Sequence, residues 1–350
     1  MEISYKTYTV KEVRAWLYEG VQNGLSEQII TKTRANSIIH NPYVKDDMVI
    51  VVAAFYGENV VGFTAMFPEH LIKPDIWISI GTTLYADPCY TNEFLGYNLV
   101  KILHDASEGR YVVGSDVAPA AAVIDKLLGM RILSFNRTRY VLKRNIRIVS
   151  VRSLISWMLE PYRLLKQMFF IWKLYKYNDR NCDIDVVDSF DNETYNFILG
   201  HSENCTFIRS LEMLNWIAKF PFRVETVQET KSCNAFSDKC KHFQTYIVKV
   251  LHDNLNVGLF MIAVRDKDAH ILLQYTERNF KDFVFFKIID FVLKLKVCQL
   301  YSVYDDLNKY MENSNVSLTS SSSKFTYTIP KDILIDGTLV IQGADGDMFA

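Results

Sequence analysis

The chain has 350 residues, 49% hydrophobic and 23% charged, and its 39 Lys and Arg against 40 Asp and Glu leave a net charge of −1. That composition supports a packed core and roughly two domains by length. It excludes a globally disordered chain and gives no electrostatic basis for a nucleic-acid partner. The cysteines, Cys89, Cys182, Cys205, Cys233, Cys240 and Cys298, are widely scattered. They lack the spacing of a disulfide framework and read as free thiols in a reducing cytoplasm. The N-terminal stretch has no apolar core of signal-peptide type.

The pattern predicts a strand over Ile3–Tyr8 and a helix N-capped at Thr9 that runs to Leu17. A second helix is expected from Ser26 to Ile39, ended by Asn41-Pro42. Strands Met48–Tyr56 and Asn59–Phe67 flank Gly57-Glu58 as a hairpin. An apolar run, Trp77 to Ala86, breaks at Asp87-Pro88, where proline cannot continue a central strand. Phe94 to His104 then has helical spacing, with Leu95, Leu99, Ile102 and Leu103 on one face. Tyr111 to Gly114 reads as the next strand and Pro119 to Leu128 as a helix stopped by Gly129. Strand, loop, helix, strand, helix is a crossover unit with parallel strands. A strand pair over Gly129–Lys143 closes this half.

Between Lys143 and Lys176 the sequence carries eight Lys or Arg and a single acid, Glu160, around Trp157, Phe169, Phe170 and Trp172. Charge and Pro161 interrupt it too often for a spanning helix. It reads as a helical linker whose basic face lies in water, with contact to a membrane surface as the alternative. From Asp183 the order of elements starts again. Strand Ile184–Val187 precedes helices Asn192–Leu199 and Ser210–Ala218. Strands Phe243–His252 and Asn256–Val264 turn at Asp253-Asn254. His270–Tyr275, helix Lys281–Leu295 and strand Val297–Tyr304 follow. Ser317–Ser323 is expected as a polar loop, and Thr338–Ile341 as a final strand before the Gly343–Phe349 tail. The repeat is expected in element order and not in residues, and no glycine occurs between Tyr275 and Leu295, so a phosphate loop is missing there.

The loop between Ala86 and Gly96 resembles the core motif of the GNAT acyltransferase superfamily. In that motif a strand exits through proline into an Arg/Gln-x-x-Gly-x-Gly/Ala loop that opens a helix and cradles the acetyl-CoA pyrophosphate. Ala86-Asp87-Pro88 stands for the strand exit, Thr91 for the Arg/Gln, Phe94 for the first glycine and Gly96 for the last small residue. Leu127-Leu128-Gly129-Met130 resembles the family's helix-ending Gly-Phe. The resemblance covers about residues 1–145 and implies a GNAT-like domain there. It also implies a 146–182 helical linker and a second GNAT-like domain over 183–350 without a phosphate loop, as in tandem-GNAT proteins. The fold class it implies is α/β, each domain a mixed central sheet flanked by helices. The departures lie in the loop: Thr91 removes the cation, Glu93 adds negative charge, and Phe94 replaces a glycine. The family's helix tyrosine corresponds to Asp125.

What the resemblance implies for function is transfer from acetyl-CoA, as co-substrate, to the amine of a small molecule or peptide. Its contacts would be Tyr85, Ala86, Thr91, Asn92, Glu93, Phe94, Leu95, Gly96 and Tyr97, with the strand amides around Tyr85-Ala86 facing the thioester carbonyl. Such a reaction needs a base for the amine, a donor where charge develops, and reactants held in line. Glu69 and His70 after the hairpin and Asp116 at the next strand end are the candidate bases. Cys89 and His104 read as structural. Cys233, Cys240 and His242 match no tetrahedral metal spacing, and Asp345-Gly346-Asp347 lacks the ligands of a calcium loop. Two other functions stay open: a catalytically lapsed tandem-GNAT binding protein and a Fem-type aminoacyl transferase. The acceptor and the oligomeric state are not encoded in any motif.

Overall fold

The computed structural model describes residues 2–142, 161, 165, 168–169, 172, 182–203, 205, 207–226, 234–236, 238–314, 316–333 and 342. Most of the expected 146–182 linker, Cys233, the expected strand 338–341 and the 343–349 tail lie outside the described residues.

Strand β1 (Ile3–Thr9) ends where the Thr9 hydroxyl caps helix α1 (Val10–Arg14), and Glu12 returns a bond to the Thr9 amide at 2.8 Å. That reciprocal pair is a capping box. Helix α2 (Lys32–Ile39) is capped by Thr31 and not by the expected Ser26, whose carbonyl instead anchors a turn to Ile29 and Ile30. Strands β2 (Val49–Tyr56) and β3 (Asn59–Lys73) meet at Gly57, in the left-handed region at φ 64°. Then come β4 (Ile76–Ala86), α3 (Leu95–Asp105), β5 (Tyr111–Ser115) and α4 (Pro119–Leu127). A single strand, β6 (Met130–Val141), stands where a strand pair was expected.

The second half opens with β7 (Cys182–Val187) and α5 (Asn192–Gly200), capped by Asp191. Next are β8 (Ile208–Arg209), α6 (Leu211–Lys219) capped by Ser210, and the two-residue strands β9 (Val224–Glu225) and β10 (Lys239–Cys240). Strands β11 (Phe243–His252) and β12 (Leu255–Arg265) turn through Asp253 and Asn254, both left-handed. Then follow β13 (Asp268–Thr276), α7 (Lys281–Lys294), β14 (Gln299–Ser302), α8 (Asp305–Ser314) and β15 (Thr319–Pro330). The serine run expected as a loop is the exposed first half of β15. Its second half buries Phe325, Tyr327 and Ile329, and that apolar alternation extends the strand.

The chain forms two compact units, Met1–Phe135 with Cys205–Lys241 and Phe325–Ala350, and Asn136–Asn204 with His242–Lys324. Residues 205–241 and 325–350 thus group with the first unit, which differs from a division at a single linker. In the first unit β1, β2, β3 and β4 pair antiparallel, β4 pairs parallel with β5, and β5 pairs antiparallel with β15. In the second, β7, β11, β12 and β13 pair antiparallel, β13 pairs parallel with β14, and β14 pairs antiparallel with β6. Each unit thus takes in a strand from the other half of the sequence, β15 beside β5 and β6 beside β14. Both are mixed sheets flanked by helices.

Segment 205–241 is held in the first unit by polar bonds around a core. The Trp216 indole donates to the Ser37 carbonyl at 2.9 Å, and Ser37 Oγ donates to the Phe220 carbonyl at 2.5 Å. Phe67 packs on Trp216 and Phe222, with ring centroids 5.3 and 5.8 Å away. In the second unit Val284, Phe285, Ile288 and Val292 of α7 share a core with Phe260, Ile262 and Ile271 of its sheet.

The two units repeat in strand register as well as in element order, with a glycine at the same place in each. Gly62 of β3 pairs with Ala54 and Ala86 at a register shift, and Gly258 of β12 pairs with Val250 and Thr276 at a matching shift. Asp87 N donates to the Val61 carbonyl at 2.8 Å, and Glu277 N donates to the Val257 carbonyl at 2.9 Å. At each glycine a helix presses on the strand. A Cβ on Gly62 would stand 2.8 Å from Leu99 Cδ1, and one on Gly258 would stand 2.4 Å from Val284 Cγ1. The close approach requires glycine at both positions.

Candidate functional site

Strand β4 changes character at Thr82. Its parallel pairing with β5 runs from Ile78 opposite Tyr111 to Gly81 opposite Gly114 and stops there, while β4 continues to Ala86. On its other edge Tyr85 faces Phe63 and Thr82 faces Ala65, so Thr83 and Leu84 oppose Thr64 alone. This is a β-bulge, and Thr83 sits in the left-handed region at φ 53°. A β-branched residue there is a genuine outlier, and such strain concentrates at functional sites. The result is a fork between β4 and β5.

Beyond the fork the chain exits at Asp87, whose carboxylate accepts the Cys89 amide at 2.9 Å. A 3₁₀ turn over Pro88–Glu93 carries Thr91, Asn92 and Glu93. Phe94 then enters α3 left-handed at φ 53° with 73% of its surface exposed, and no side chain caps the helix. By helix geometry the amides of Leu95, Gly96 and Tyr97 have no acceptor inside the helix, and that end carries partial positive charge. Their side positions are committed to packing. Leu95 is buried against Gly62, and a Cβ on Gly96 would lie 3.1 Å from Ile124 of α4 and 3.7 Å from Ala86. Asn98 ties the loop down, its amide donating to Tyr5 Oη at 3.1 Å and to the Glu93 carbonyl at 3.3 Å. The Cys89 thiol is pushed up by its hydrogen bond to Asp87, which disfavours a thiolate nucleophile. Burial holds the His104 imidazole below its usual range, favouring the neutral ring.

The candidate bases fall in two places. Asp116 lies just beyond β5 at the fork, exposed and left-handed at φ 50°. Glu69 and His70 lie further back on β3: Glu69 faces Ile78, three residues along β3 from Met66, which faces Gly81 where the fork opens, or about 10 Å at 3.3 Å per residue. Glu69 is fully buried and meets Arg209 Nε at 2.5 Å. His70 meets Asp75 Oδ1 at 2.8 Å and lies against Trp77 at 4.6 Å. Tyr43 closes the same cluster, bonded to Ser210 Oγ at 2.5 Å, and burial raises its hydroxyl above the usual range. The cluster secures β8 and the start of α6 to β3 and leaves Glu69 committed to its partner.

A further buried carboxyl belongs to Asp125 of α4. Burial pushes it above the usual carboxylate range, while Thr328 Oγ1, donating at 2.7 Å, pulls it back. It stands over Gly114, where the parallel pairing ends, and a Cβ on that glycine would be 2.6 Å from Thr328 Oγ1 and 3.4 Å from Asp125 Oδ2. In the sequence Asp125 stands out only as the residue that corresponds to the family's helix tyrosine.

The second unit has a corresponding fork, since β13 pairs with β14 only as far as His270 and continues to Thr276. Its register shift falls at Leu272, whose carbonyl accepts the Tyr304 hydroxyl at 2.8 Å. Its exit turn is only Arg278–Phe280. That fork is filled from within, which leaves the first unit as the candidate site.

No family model matches the sequence, and no curated protein does. Solved structures show the fold. The chain is similar to a probable N-acyltransferase from Enterococcus faecalis V583, at 11% identity and TM-score 0.50 over 94% of this chain and 72% of that one. It is similar to Saccharomyces cerevisiae N-myristoyltransferase with bound myristoyl-CoA, at 9% identity and TM-score 0.50 over 93% and 82%. A glucosamine N-acetyltransferase region of a fungal multi-domain β-N-acetylglucosaminidase aligns at 10% identity and TM-score 0.50 over 94% and 38%. The chain has the GNAT fold.

Proposed function

We propose that the first unit is an N-acyltransferase that takes its acyl group from a CoA thioester, acetyl-CoA in the first instance, and passes it to the amine of a small molecule or peptide. The observation that carries this reading is the fork: a strained bulge at Thr83, an edge of β4 no longer paired with β5, and an uncapped helix end beside it. The residues present fit such a donor. The amides of Leu95, Gly96 and Tyr97 suit a pyrophosphate, and the edge from Leu84 to Ala86 suits an extended amide chain laid against it as an added strand.

Bound there, the donor supplies a thioester carbonyl ready for attack. The chain's part is to hold that carbonyl at the β4 edge, where a backbone amide near Tyr85 meets the developing charge. Asp116, at the mouth of the fork, takes the proton that the attacking amine must lose. The nitrogen–carbon bond forms as the carbon–sulfur bond breaks, and the proton leaves with the thiol. Titration of the full chain with acetyl-CoA and with myristoyl-CoA, followed by a free-thiol assay over a panel of amines, tests this. Saturable binding with thiol release supports it, and absence of binding to both donors overturns it.

A second reading, a binding protein with lapsed chemistry, draws on the loop itself. Thr91 and the exposed Phe94 stand where a cation and a glycine would favour phosphate, Glu93 adds negative charge, and Glu69 is held by Arg209. Binding without thiol release from any amine would favour it.

A further inference from the structure

We propose that the segment around Leu165–Trp172 docks the protein on a membrane surface that carries anionic lipid. Pro161, Leu165, Met168, Phe169 and Trp172 are helical. Leu165, Met168, Phe169 and Trp172 are spaced i, i+3, i+4 and i+7, which puts them on one face. Each is at least 60% exposed, and the Phe169 and Trp172 rings lie 5.6 Å apart, in contact with each other. Single exposed apolar residues are ordinary; four large ones on one helix face mark an interaction site.

Charge selects the occupant. Eight Lys or Arg and one acid lie between Lys143 and Lys176, in a chain whose net charge is −1, so the positive excess is local to this segment. An apolar helix face within a stretch of sequence this basic has the composition of a helix lying in the plane of a bilayer, where anionic headgroups attract the cations. A second copy of the chain is a poorer occupant, because its own excess of cations would come up against these. Basic residues, Glu160 and Pro161 interrupt the stretch too often for a spanning helix, which favours a surface position.

Sedimentation of the full chain with vesicles of phosphatidylcholine alone, and of phosphatidylcholine doped with phosphatidylserine, tests the proposal. The expected result is binding to the doped vesicles that falls with added salt. Leu165→Glu with Phe169→Glu should reduce that binding at least about tenfold, and Trp172→Ser alone should reduce it measurably, with circular dichroism unchanged for both. Quenching of tryptophan emission by brominated lipid should fall in Trp172→Phe. No binding to doped vesicles, or equal binding by wild type and both variants, overturns the proposal. Concentration-dependent self-association abolished by the same substitutions, without vesicle binding, would assign the face to a second copy and overturn it as well.

Discussion

Thr328 Oγ1 donates a 2.7 Å hydrogen bond to the Asp125 carboxylate across a sequence separation of 203 residues. Through it the last described strand fixes helix α4 over Gly114, where β4 and β5 part. The Asp125 carboxyl is raised by burial, so its contribution to stability is fully present below the unfolded value of 3.8 and is lost as pH rises through the folded value. Thr328→Val removes the donor and should cost about 1–3 kcal/mol. Asp125→Asn should leave stability at neutral pH unchanged or higher and flatten its fall above pH 3.8. Thermal unfolding of the three proteins across the acid range measures both effects, and an unaltered profile in Asp125→Asn would refute this account.

Arg209 and Glu69 form a buried ion pair, and removing one partner strands the other's charge. Arg209→Met should therefore cost about 3–5 kcal/mol. Joint replacement, Glu69→Leu with Arg209→Met, should recover most of that, because an apolar pair leaves no buried charge. Urea unfolding distinguishes them. Were Glu69 the base, Glu69→Gln would lose turnover with its stability intact; the expected outcome is a loss of stability.

Phe94 holds a left-handed conformation that costs a side-chain-bearing residue roughly 1 kcal/mol or more. Phe94→Gly should raise stability by about that amount. Adding Thr91→Arg should supply a charge-assisted phosphate contact of roughly 1.5–3 kcal/mol, which is about ten- to a hundredfold in acyl-CoA affinity. Calorimetric titration checks the second effect and thermal unfolding the first. The Gly96 position gives no comparable test of phosphate space, because a bulky side chain there would first displace Ile124.

Apolar periodicity and turn residues place most elements of both units within a few residues, and Pro88, Phe94 and Gly96 mark the exit loop in the sequence itself. Three features were out of reach. The bulge at Thr83 leaves no residue signature, since the left-handed conformation is imposed by pairing with β3. The ion partner of Glu69 enters from β8, far along the sequence, and looks like any other arginine before a helix cap. The repeat of Gly62 in Gly258 was hidden because the two glycines share almost no neighbours in sequence. Only the register and the helix pressing on each strand bring the match out.

Asp191 caps α5 with its Oδ1 2.7 Å from the Thr194 amide and 2.6 Å from Thr194 Oγ1, and these bonds draw its carboxyl down to about 2. A depressed carboxylate contributes stability above its unfolded value of 3.8 that is lost as pH falls toward about 2. The group is largely solvent-exposed, so the loss is modest. Asp191→Asn keeps the cap and should remove that part of the acid dependence. Asp191→Ala should cost about 1 kcal/mol at neutral pH. Equal acid sensitivity in wild type and Asp191→Asn would show that the cap is not the titrating element.

Gly258 and Val284 give the sharpest test of the residue-level repeat. A Cβ on Gly258 would stand 2.4 Å from Val284 Cγ1 and 2.9 Å from its Cγ2, so α7 must move off β12 for alanine to fit. Overpacking of this kind costs about 1–3 kcal/mol. Gly258→Ala should unfold at lower urea by that amount. Val284→Ala alone should also destabilise, through the cavity it leaves. The double variant should be more stable than the sum of the two losses, because the alanine methyl at position 258 occupies the space that the valine methyls vacate. Gly62→Ala should behave alike, with Leu99→Ala as its compensating partner, since Leu99 Cδ1 lies 2.8 Å from the same point on β3. Compensation in one unit and strict additivity in the other would show that the two helices seat differently, and the repeat would then be one of register alone.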